Sequence, residues 1–195
     1  MAQAETTMGF YYDETACIGC RTCQIACKDK NDLPVGVLFR KVESFESGHF
    51  PHASIYHLAS TCNNCANPAC VEQCPTAATF IDADGTVQHD DSRCIGCRAC
   101  VIACPYQHPV FLEDLKVVHR CNTCQDLRVK GEDPACASSC PMRALQFGPI
   151  NELRAAHPEA VQKIAPMPSE SLTDPSIAID ARDVALGEDF KPLIM

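Results

Sequence analysis

Short apolar runs separated by polar turns mark the regular elements that this sequence predicts. The segments GVLFRKVESFE (36–46) and SIYHLAS (54–60) favour two strands joined by a polar loop. Further along, apolar Phe80–Ile81 and Thr86–Val87 flank an Asp84–Gly85 turn. This alternation around an Asp-Gly pair predicts a β-hairpin.

The C-terminal part is predicted to be a helix followed by a tail. Residues 151–165, NELRAAHPEAVQKIA, favour a helix that is interrupted or restarted at Pro158. Residues 166–195 are rich in Pro, Ser and Asp, which leaves two interpretations open. They form either a disordered tail or, as we expect, an extended arm that lies along a partner subunit.

The sequence indicates neither a membrane span nor a leader. No segment reaches the roughly 18 apolar residues that a spanning helix needs. The N-terminal residues MAQAETTMGFYY lack the basic and apolar regions of a secretory signal. We therefore expect no signal peptide on this chain and assembly in a reducing cytoplasm.

The chemistry of the chain lies in its 16 cysteines, which fall into four groups of four. Two groups have the spacing C-x2-C-x2-C-x3-C, and three groups are followed directly by proline. Bacterial ferredoxins hold four-iron, four-sulfur clusters with this run, and its fourth cysteine ligates the other cluster of a pair. The sequence therefore predicts four [4Fe–4S] clusters. The groups are Cys17, Cys20, Cys23, Cys27 (group one); Cys62, Cys65, Cys70, Cys74 (group two); Cys94, Cys97, Cys100, Cys104 (group three); and Cys121, Cys124, Cys136, Cys140 (group four).

The spacing has a geometric reason. Three thiolates within seven residues reach one cluster only if the backbone curls around it, and Gly19 and Gly96 relieve crowding at that bend. Ile18 and Ile95 are candidates for apolar cover. The fourth cysteine is expected to face away, toward the neighbouring cluster. The proline that follows cannot donate a hydrogen bond and turns the chain outward.

Two other roles for the cysteines, disulfide bonds and structural zinc, fit the sequence less well. Disulfide scaffolds are usually short secreted chains without repeated two-residue gaps. Structural zinc pairs two separated C-x2-C knuckles, and group four alone fits that pattern. Groups one and three do not fit it, because a third cysteine two residues later has no place in a four-ligand site.

Internal repeats assign the cysteines to clusters. CIGCRTCQIAC (17–27) and CIGCRACVIAC (94–104) differ at two positions in eleven, and groups two and four also match, with seven extra residues in the later copy. Groups two and three are close in sequence and pair with each other, so groups one and four form the outer pair. The resulting ligand sets are set 1, Cys17, Cys20, Cys23 and Cys140; set 2, Cys27, Cys121, Cys124 and Cys136; set 3, Cys62, Cys65, Cys70 and Cys104; and set 4, Cys74, Cys94, Cys97 and Cys100.

This pairing predicts an α+β fold of two nested bacterial-type two-cluster ferredoxin modules with short hairpins, plus an extended C-terminal arm. Residues 1–61 form the first half of the outer module and an insert, and residues 62–105 form the inner module. Residues 106–150 complete the outer module, and residues 151–195 are the helix and the tail that docks on a partner.

Composition and charge limit the kinds of partner that the protein can bind. Trp is absent and aromatic residues make up 6% of the chain, so a large apolar core is not expected and cluster ligation supplies much of the folding free energy. The formal charge is −9, and four oxidised clusters with their thiolates bring it to about −17. A nucleic acid or an anionic membrane surface is therefore an unfavourable partner.

No second chemistry is evident. The sequence has no GxGxxG after a strand, no GxxxxGK[ST], no HExxH and no GxSxG. Every cysteine is used for ligation, so we expect no catalytic residue and no further cofactor on this chain. His108 and His119 are candidates for hydrogen bonds near a cluster. Basic residues beside ligands are either solvated charges or groups that favour a reduced cluster; they are Arg21, Lys28, Arg93, Arg98 and Arg120.

The cysteine groups also carry a family resemblance. CIGCRTCQIACKD, CNNCANPACVEQCP, CIGCRACVIACPY and DPACASSCPMRALQFGPINELR resemble the iron–sulfur subunits of dimethyl sulfoxide reductase-like molybdopterin oxidoreductases. Polysulfide, thiosulfate and nitrate reductases are wider kin. The resemblance covers roughly residues 9–160, and the tail carries little of it.

The resemblance implies an electron-transfer subunit that is not catalytic alone. It relays electrons between a catalytic subunit that holds molybdopterin guanine dinucleotide and a quinol-linked membrane anchor or another redox partner. The family places the set 1 cluster nearest the molybdenum, followed by those of sets 2, 3 and 4. Some relatives carry Trp at the position of Cys97 and hold a three-iron cluster there, so Cys97 implies a four-iron cluster. Export as a passenger of a twin-arginine partner would place the complex on the periplasmic face of the membrane.

Two other functions remain open from the sequence. A free-standing polyferredoxin would use the same cysteines without a large partner subunit. A zinc-stabilised interaction module would contain no iron. The sequence indicates neither the substrate of a complex nor the direction of electron flow.

Overall fold

The computed structural model describes residues 7–193 as a mixture of short strands and short helices. The strands are β1 (Met8–Asp13), β2 (Lys41–Ser47), β3 (Ser54–Ser60), β4 (Thr79–Ile81), β5 (Val87–His89), β6 (Val110–Leu112), β7 (Val117–His119), β8 (Leu145–Pro149), β9 (Ile177–Asp180) and β10 (Lys191–Leu193). The helices are α1 (Thr22–Lys30), α2 (Ala69–Glu72), α3 (Ala99–Ala103), α4 (Gln125–Arg128), α5 (Ala135–Ser138), α6 (Ile150–Ala156) and α7 (Asp183–Leu186). Two 3₁₀ turns cover Asp91–Arg93 and Glu170–Leu172. The coarse α+β prediction is confirmed.

Both predicted strand pairs are present. β2 and β3 are antiparallel from Lys41 opposite Ser60 to Ser47 opposite Ser54. β4 and β5 form the second hairpin, with Ile81 opposite Val87. Its turn closes through a hydrogen bond from the Gly85 backbone N–H to the Asp82 carbonyl (3.0 Å), with Gly85 at φ +76°. A third hairpin, β6–β7, separates groups three and four.

The N-terminal strand, β1, was not among the predicted elements. It lies in the middle of a three-stranded sheet in the order β8-β1-β9, antiparallel to β8 and parallel to β9. Four consecutive residues, 9–12, are buried, because both faces of the strand are covered. Phe10 and Tyr12 pack into the largest apolar cluster, and Tyr11 packs with Ile150 and Ala178 on the other side.

The prediction of an extended C-terminal arm differs from the structure. β9 pairs with β1 and β10 pairs with β2, so the tail returns to the body of its own chain. Ile179 is fully buried, and the fully buried Glu14 accepts hydrogen bonds from Arg182. The physical reason is the apolar run Ile177–Ile179, which gains more by completing a sheet than by remaining in solvent. α6 ends at Ala156, ahead of Pro158, and does not restart.

Within residues 7–193 the apolar core is divided into one large and three small clusters. The large one lies between the two three-stranded sheets, whereas the others contain between three and five buried residues each. Cysteines belong to three of the four clusters. In residues 7–193 no helix has the length and apolarity to cross a bilayer. The prediction about the leader falls partly on residues 1–6, which lie outside the described residues.

Candidate metal centres

The loops of groups one and three have the same backbone conformation. Gly19 and Gly96 have φ +66° and +68°, as the crowding argument predicts. Two residues later Arg21 and Arg98 are also left-handed, at φ 63° and 62°, and each precedes a helix, α1 or α3. The sequence repeat is therefore a structural repeat.

Helix α1 carries the last two cysteines of group one. Cys23 and Cys27 are both buried, and four residues separate them. Residues four apart on a helix share one face, displaced by about 6 Å along the axis. Cys27 therefore shares a helix face with Cys23, and the displacement along the helix carries it toward different neighbours. That the fourth cysteine serves the neighbouring cluster stays a prediction.

Groups two and four repeat a second conformation. Asn64 and Thr123 have φ 45° and 57°. This turns their backbone N–H groups toward the preceding thiols, so that Asn64 donates to Cys62 Sγ (3.5 Å) and Thr123 to Cys121 Sγ (3.4 Å). Pro68 and Pro134 then precede α2 and α5. The seven extra residues of group four are accommodated by α4 and the turn after it.

The three Cys-Pro steps form one kind of turn. In each, the backbone N–H three residues after the cysteine donates to the cysteine carbonyl, at 3.1–3.2 Å, and that residue has φ between 51° and 55°. The donors are Ala77, Gln107 and Arg143. The turns that the prolines predict are confirmed.

Two recesses are each lined by four cysteines. One is lined by Cys17, Cys20, Cys23 and Cys140, together with Ile18 and Pro141. The other is lined by Cys62, Cys65, Cys70 and Cys104, together with His108 and Arg120. Their cysteines are the members of set 1 and set 3.

Several members of sets 2 and 4 are also neighbours. Cys27 packs in the same apolar cluster as Cys121, and negative charge at Cys136 and Cys124 adds to burial in raising the pKa of its thiol. Cys94 and Cys100 share another cluster with Cys70 of set 3, and after burial the charges of Cys70 and Cys74 raise the pKa of Cys100.

Burial dominates the electrostatics of the thiols. It raises the pKa of Cys23 and Cys100 to about 11 and that of Cys27 and Cys65 to about 12. Without iron these thiols are neutral near pH 7, so loading a metal must displace their protons. The exposed Cys20 differs, because a hydrogen bond with Thr22 lowers its pKa.

Among the basic candidates, Arg120 alone has hydrogen bonds to cysteine sulfur. It is buried and donates to Cys70 Sγ (3.1 Å) and Cys62 Sγ (2.5 Å). Lys28, Arg93 and Arg98 bind backbone carbonyls or Glu113 instead, and Arg21 lines the set 1 recess.

The two histidine candidates, His108 and His119, lie in different surroundings. His108 is buried beside the set 3 cysteines, and burial lowers its pKa to about 3, so it is neutral. His119 forms a 2.8 Å contact with Asp91 and does not line that recess.

One buried basic residue, Arg40, was not among the candidates. It is 1% exposed, and its charge acts on the thiols of Cys23 and Cys27. Local sequence carries no signal for it, because Arg40 lies in a strand-forming segment between groups one and two.

The donor set fits iron–sulfur clusters. All 16 cysteines are free of disulfides. The thiols surround recesses and accept N–H bonds, which is how proteins hold clusters that carry one thiolate per iron. In residues 7–193 no three His, Cys, Asp or Glu side chains converge to hold a single metal ion.

The bend at Gly96 gives a testable prediction. A Cβ at Gly96 would lie 2.4 Å from the Lys116 carbonyl oxygen, a backbone atom, and the residue would also keep a left-handed φ. Gly96→Ala is expected to lower the Tm by more than about 6 °C, since the backbone beside Cys97 must shift. Gly131→Ala has the same kind of φ with no atom within 4 Å, so it should cost only about 1 kcal/mol, or about 3 °C. Equal thermal shifts in calorimetry of the two variants would contradict the steric account.

Comparisons with known proteins agree with this chemistry. A family profile described as "4Fe-4S dicluster domain" matches residues 53–150, and one described as "4Fe-4S binding domain" matches residues 14–30. The B subunit of anaerobic dimethyl sulfoxide reductase from Escherichia coli (strain K12) is 41% identical over 182 residues, covering 89% of this chain and 88% of the relative. The B subunit of polysulfide reductase from Wolinella succinogenes is 37% identical, covering 88% and 92%. The thiosulfate reductase electron transfer subunit of Salmonella typhi is 42% identical, covering 72% and 75%.

Proposed function

Because this protein belongs to the family of iron–sulfur subunits that includes the B subunit of dimethyl sulfoxide reductase, we propose that it is a four-cluster electron relay for a molybdopterin-containing catalytic subunit. It performs no substrate chemistry alone. The observation that carries the proposal is the placement of the cysteines, which form neighbouring sets with exposed members only at the two ends.

The proposed ligands are the four sets predicted from the spacing. The two recesses support sets 1 and 3 directly, because each is lined by the four members of one set. The proximity of Cys27 to Cys124 and Cys136, and of Cys74 to Cys100, supports sets 2 and 4. α1 contacts α5 and α2 contacts α3, which supports two nested modules.

The proposed order of transfer is set 1, set 2, set 3, set 4. Neighbouring sets share apolar clusters: Cys23 of set 1 packs with Cys136 of set 2, Cys27 with Cys62 of set 3, and Cys70 with Cys100 of set 4. Each step of the proposed order therefore crosses one shared cluster, which supports a linear path.

The ends of this path are open to partners. Of the 16 cysteines, only Cys20 of set 1 and Cys97 of set 4 are exposed. Exposed Ile18 and Met142 lie at the first end, and exposed Ile95 and Ile102 at the second. We place the catalytic subunit at the Cys20 end and a quinol-linked membrane anchor, or another redox partner, at the Cys97 end.

The protein binds the clusters, shields them from water and adjusts their reduction potentials. Bound clusters supply one-electron redox chemistry. Buried thiolates hold them away from water, and the N–H bonds of Asn64, Thr123 and Arg120 to sulfur stabilise negative charge. No residue of this chain needs to move a proton or bind a substrate for transfer to occur.

The proposed partner also implies a location for the complex. We propose that the complex stays in the cytoplasm or reaches the periplasmic face of the membrane when the catalytic subunit carries a twin-arginine signal. The molybdopterin guanine dinucleotide belongs to that catalytic subunit.

Anaerobic affinity purification from the native cell tests the proposal. Iron and acid-labile sulfide are each expected at about sixteen per chain, together with a larger molybdenum-containing subunit in stoichiometric amount. Iron-loaded material that remains monomeric would instead favour a free polyferredoxin. Absence of iron and sulfide, with zinc in their place, would contradict the relay altogether.

A further inference from the structure

Arg40 is a fully buried cation with few polar partners. Its Nη1 donates to the Ala59 carbonyl at 3.0 Å, and its guanidinium lies 4.7 Å from the centre of the Phe10 ring. Its Nε and Nη2 are buried and have no hydrogen-bond partner among the described residues. Two strong donors are therefore available in the interior.

No carboxylate neutralises this charge. Within residues 7–193 the ion pairs of arginine involve Arg98, Arg128 and Arg182, and none involves Arg40. Burial of an unpaired charge is strongly unfavourable, so a buried cation persists only where an anion compensates it. A compensating anion must therefore lie close to Arg40.

Cysteine thiols supply the negative charge that acts on Arg40, which also lines a recess with Cys62 of set 3. Burial lowers the pKa of Arg40, but negative charge at Cys136, Cys23, Cys121 and Cys27 raises it by more. Three of these four cysteines belong to set 2, and Cys23 belongs to set 1. The preceding residue, Phe39, packs against Cys27 and Cys121, which places this segment against set 2 independently of the charges.

We propose that Arg40 is the buried counter-charge of the set 2 cluster and that it favours the reduced form of that cluster. The inference rests on the proposed function. One-electron reduction adds one negative charge to a cluster, with the electron coming from a neighbouring cluster or from dithionite. A fixed positive charge in a medium of low dielectric constant stabilises the more negative form and raises the reduction potential.

Arg120 provides a matched comparison. It is also a buried arginine, but its hydrogen bonds go to Cys62 and Cys70 of set 3. Two similar residues therefore act on two different clusters. A purely structural role for either one would change stability without moving one selected potential.

The test is a potentiometric titration of the holoprotein followed by electron paramagnetic resonance, which detects the reduced clusters. In Arg40→Gln one midpoint is expected to fall by at least about 59 mV, a tenfold change in a one-electron equilibrium constant. Arg40→Lys, which keeps the charge, should change that constant less than threefold. Lys163→Gln, at an exposed position away from the cysteine loops, should change none, and Arg120→Gln should move a different midpoint.

Each result of these titrations either supports or contradicts the role of Arg40 as a counter-charge. Unchanged midpoints in Arg40→Gln, an equal fall of all four, or a fall of the same midpoint in Arg120→Gln would overturn the inference. If Arg40→Gln binds no iron, Arg40→Lys decides: normal iron and midpoints support the counter-charge, and loss of iron overturns it. Wild-type protein without four midpoints would refute the relay itself, which is a distinguishable failure.

Discussion

Anaerobic removal of iron is expected to unfold the loops that carry the four cysteine groups. Two of the three cysteine-containing apolar clusters hold only four or five buried residues, too few to keep their loops in place without ligation. Iron removal also takes away the negative charge that faces Arg40 and Arg120. Leaving one partner of a buried ion pair uncompensated costs about 3–5 kcal/mol, and two such losses are comparable with the about 5–15 kcal/mol of net stability of a typical domain.

Limited trypsin digestion measures this unfolding at defined positions. The bonds after Arg40 and Arg120 are protected in the native structure, because these residues are 1% and 7% exposed. Both bonds should be cleaved in the apoprotein and resist cleavage in the holoprotein. Cleavage after exposed Lys130 and Arg143 should occur in both forms and serves as the control.

Reconstitution completes the experiment. Iron and sulfide added together should restore protection after Arg40 and Arg120, whereas zinc alone should not, because four-iron clusters and single ions need different ligand spacing. An apoprotein that stays protected at both bonds would show that the apolar core suffices for folding.

Replacement of Cys97 by Trp is expected to convert one four-iron cluster to a three-iron cluster while the other three remain intact. Cys97 is exposed, so the indole ring can extend into solvent without displacing the loop. Iron should fall from about sixteen to about fifteen per chain, and a paramagnetic signal should appear in the oxidised protein. Metal analysis and electron paramagnetic resonance of the oxidised state measure both effects.

Two variants calibrate that result. Cys20→Trp changes the equivalent position of the repeat at the other end and should produce the same conversion in set 1. Ile102→Trp introduces the same ring at an exposed position of α3 and should leave iron unchanged. A full iron count in Cys97→Trp would contradict the proposed ligand sets.

The spacing of residues along the chain predicted much of the backbone conformation at the candidate centres. The positive φ of Gly19 and Gly96 and the three Cys-Pro turns follow from short-range sterics. Such features depend on residues within a few positions of each other, so they can be predicted without the fold. The same holds for the hairpins β2–β3 and β4–β5, whose alternation and turns are local.

The placement of the two ends of the chain depended on distant residues. β1 is a strand because β8 and β9 flank it, and β9 is a strand because β1 is available. The segment around Ile177–Ile179 lies in a Pro- and Ser-rich tail, so composition pointed to an arm. Pairing across the whole length of the chain overrode that local signal.

The cysteine groups, their repeated loops and the chemistry of thiolates at this spacing follow from the order of residues along the chain. The closing of the sheet around β1 by the tail, and the burial of Arg40 where the charges of set 1 and set 2 thiols act on it, depend on the fold. The reason is physical: loop conformation is set by neighbours along the chain, whereas burial of a charge depends on surfaces that long-range packing brings together.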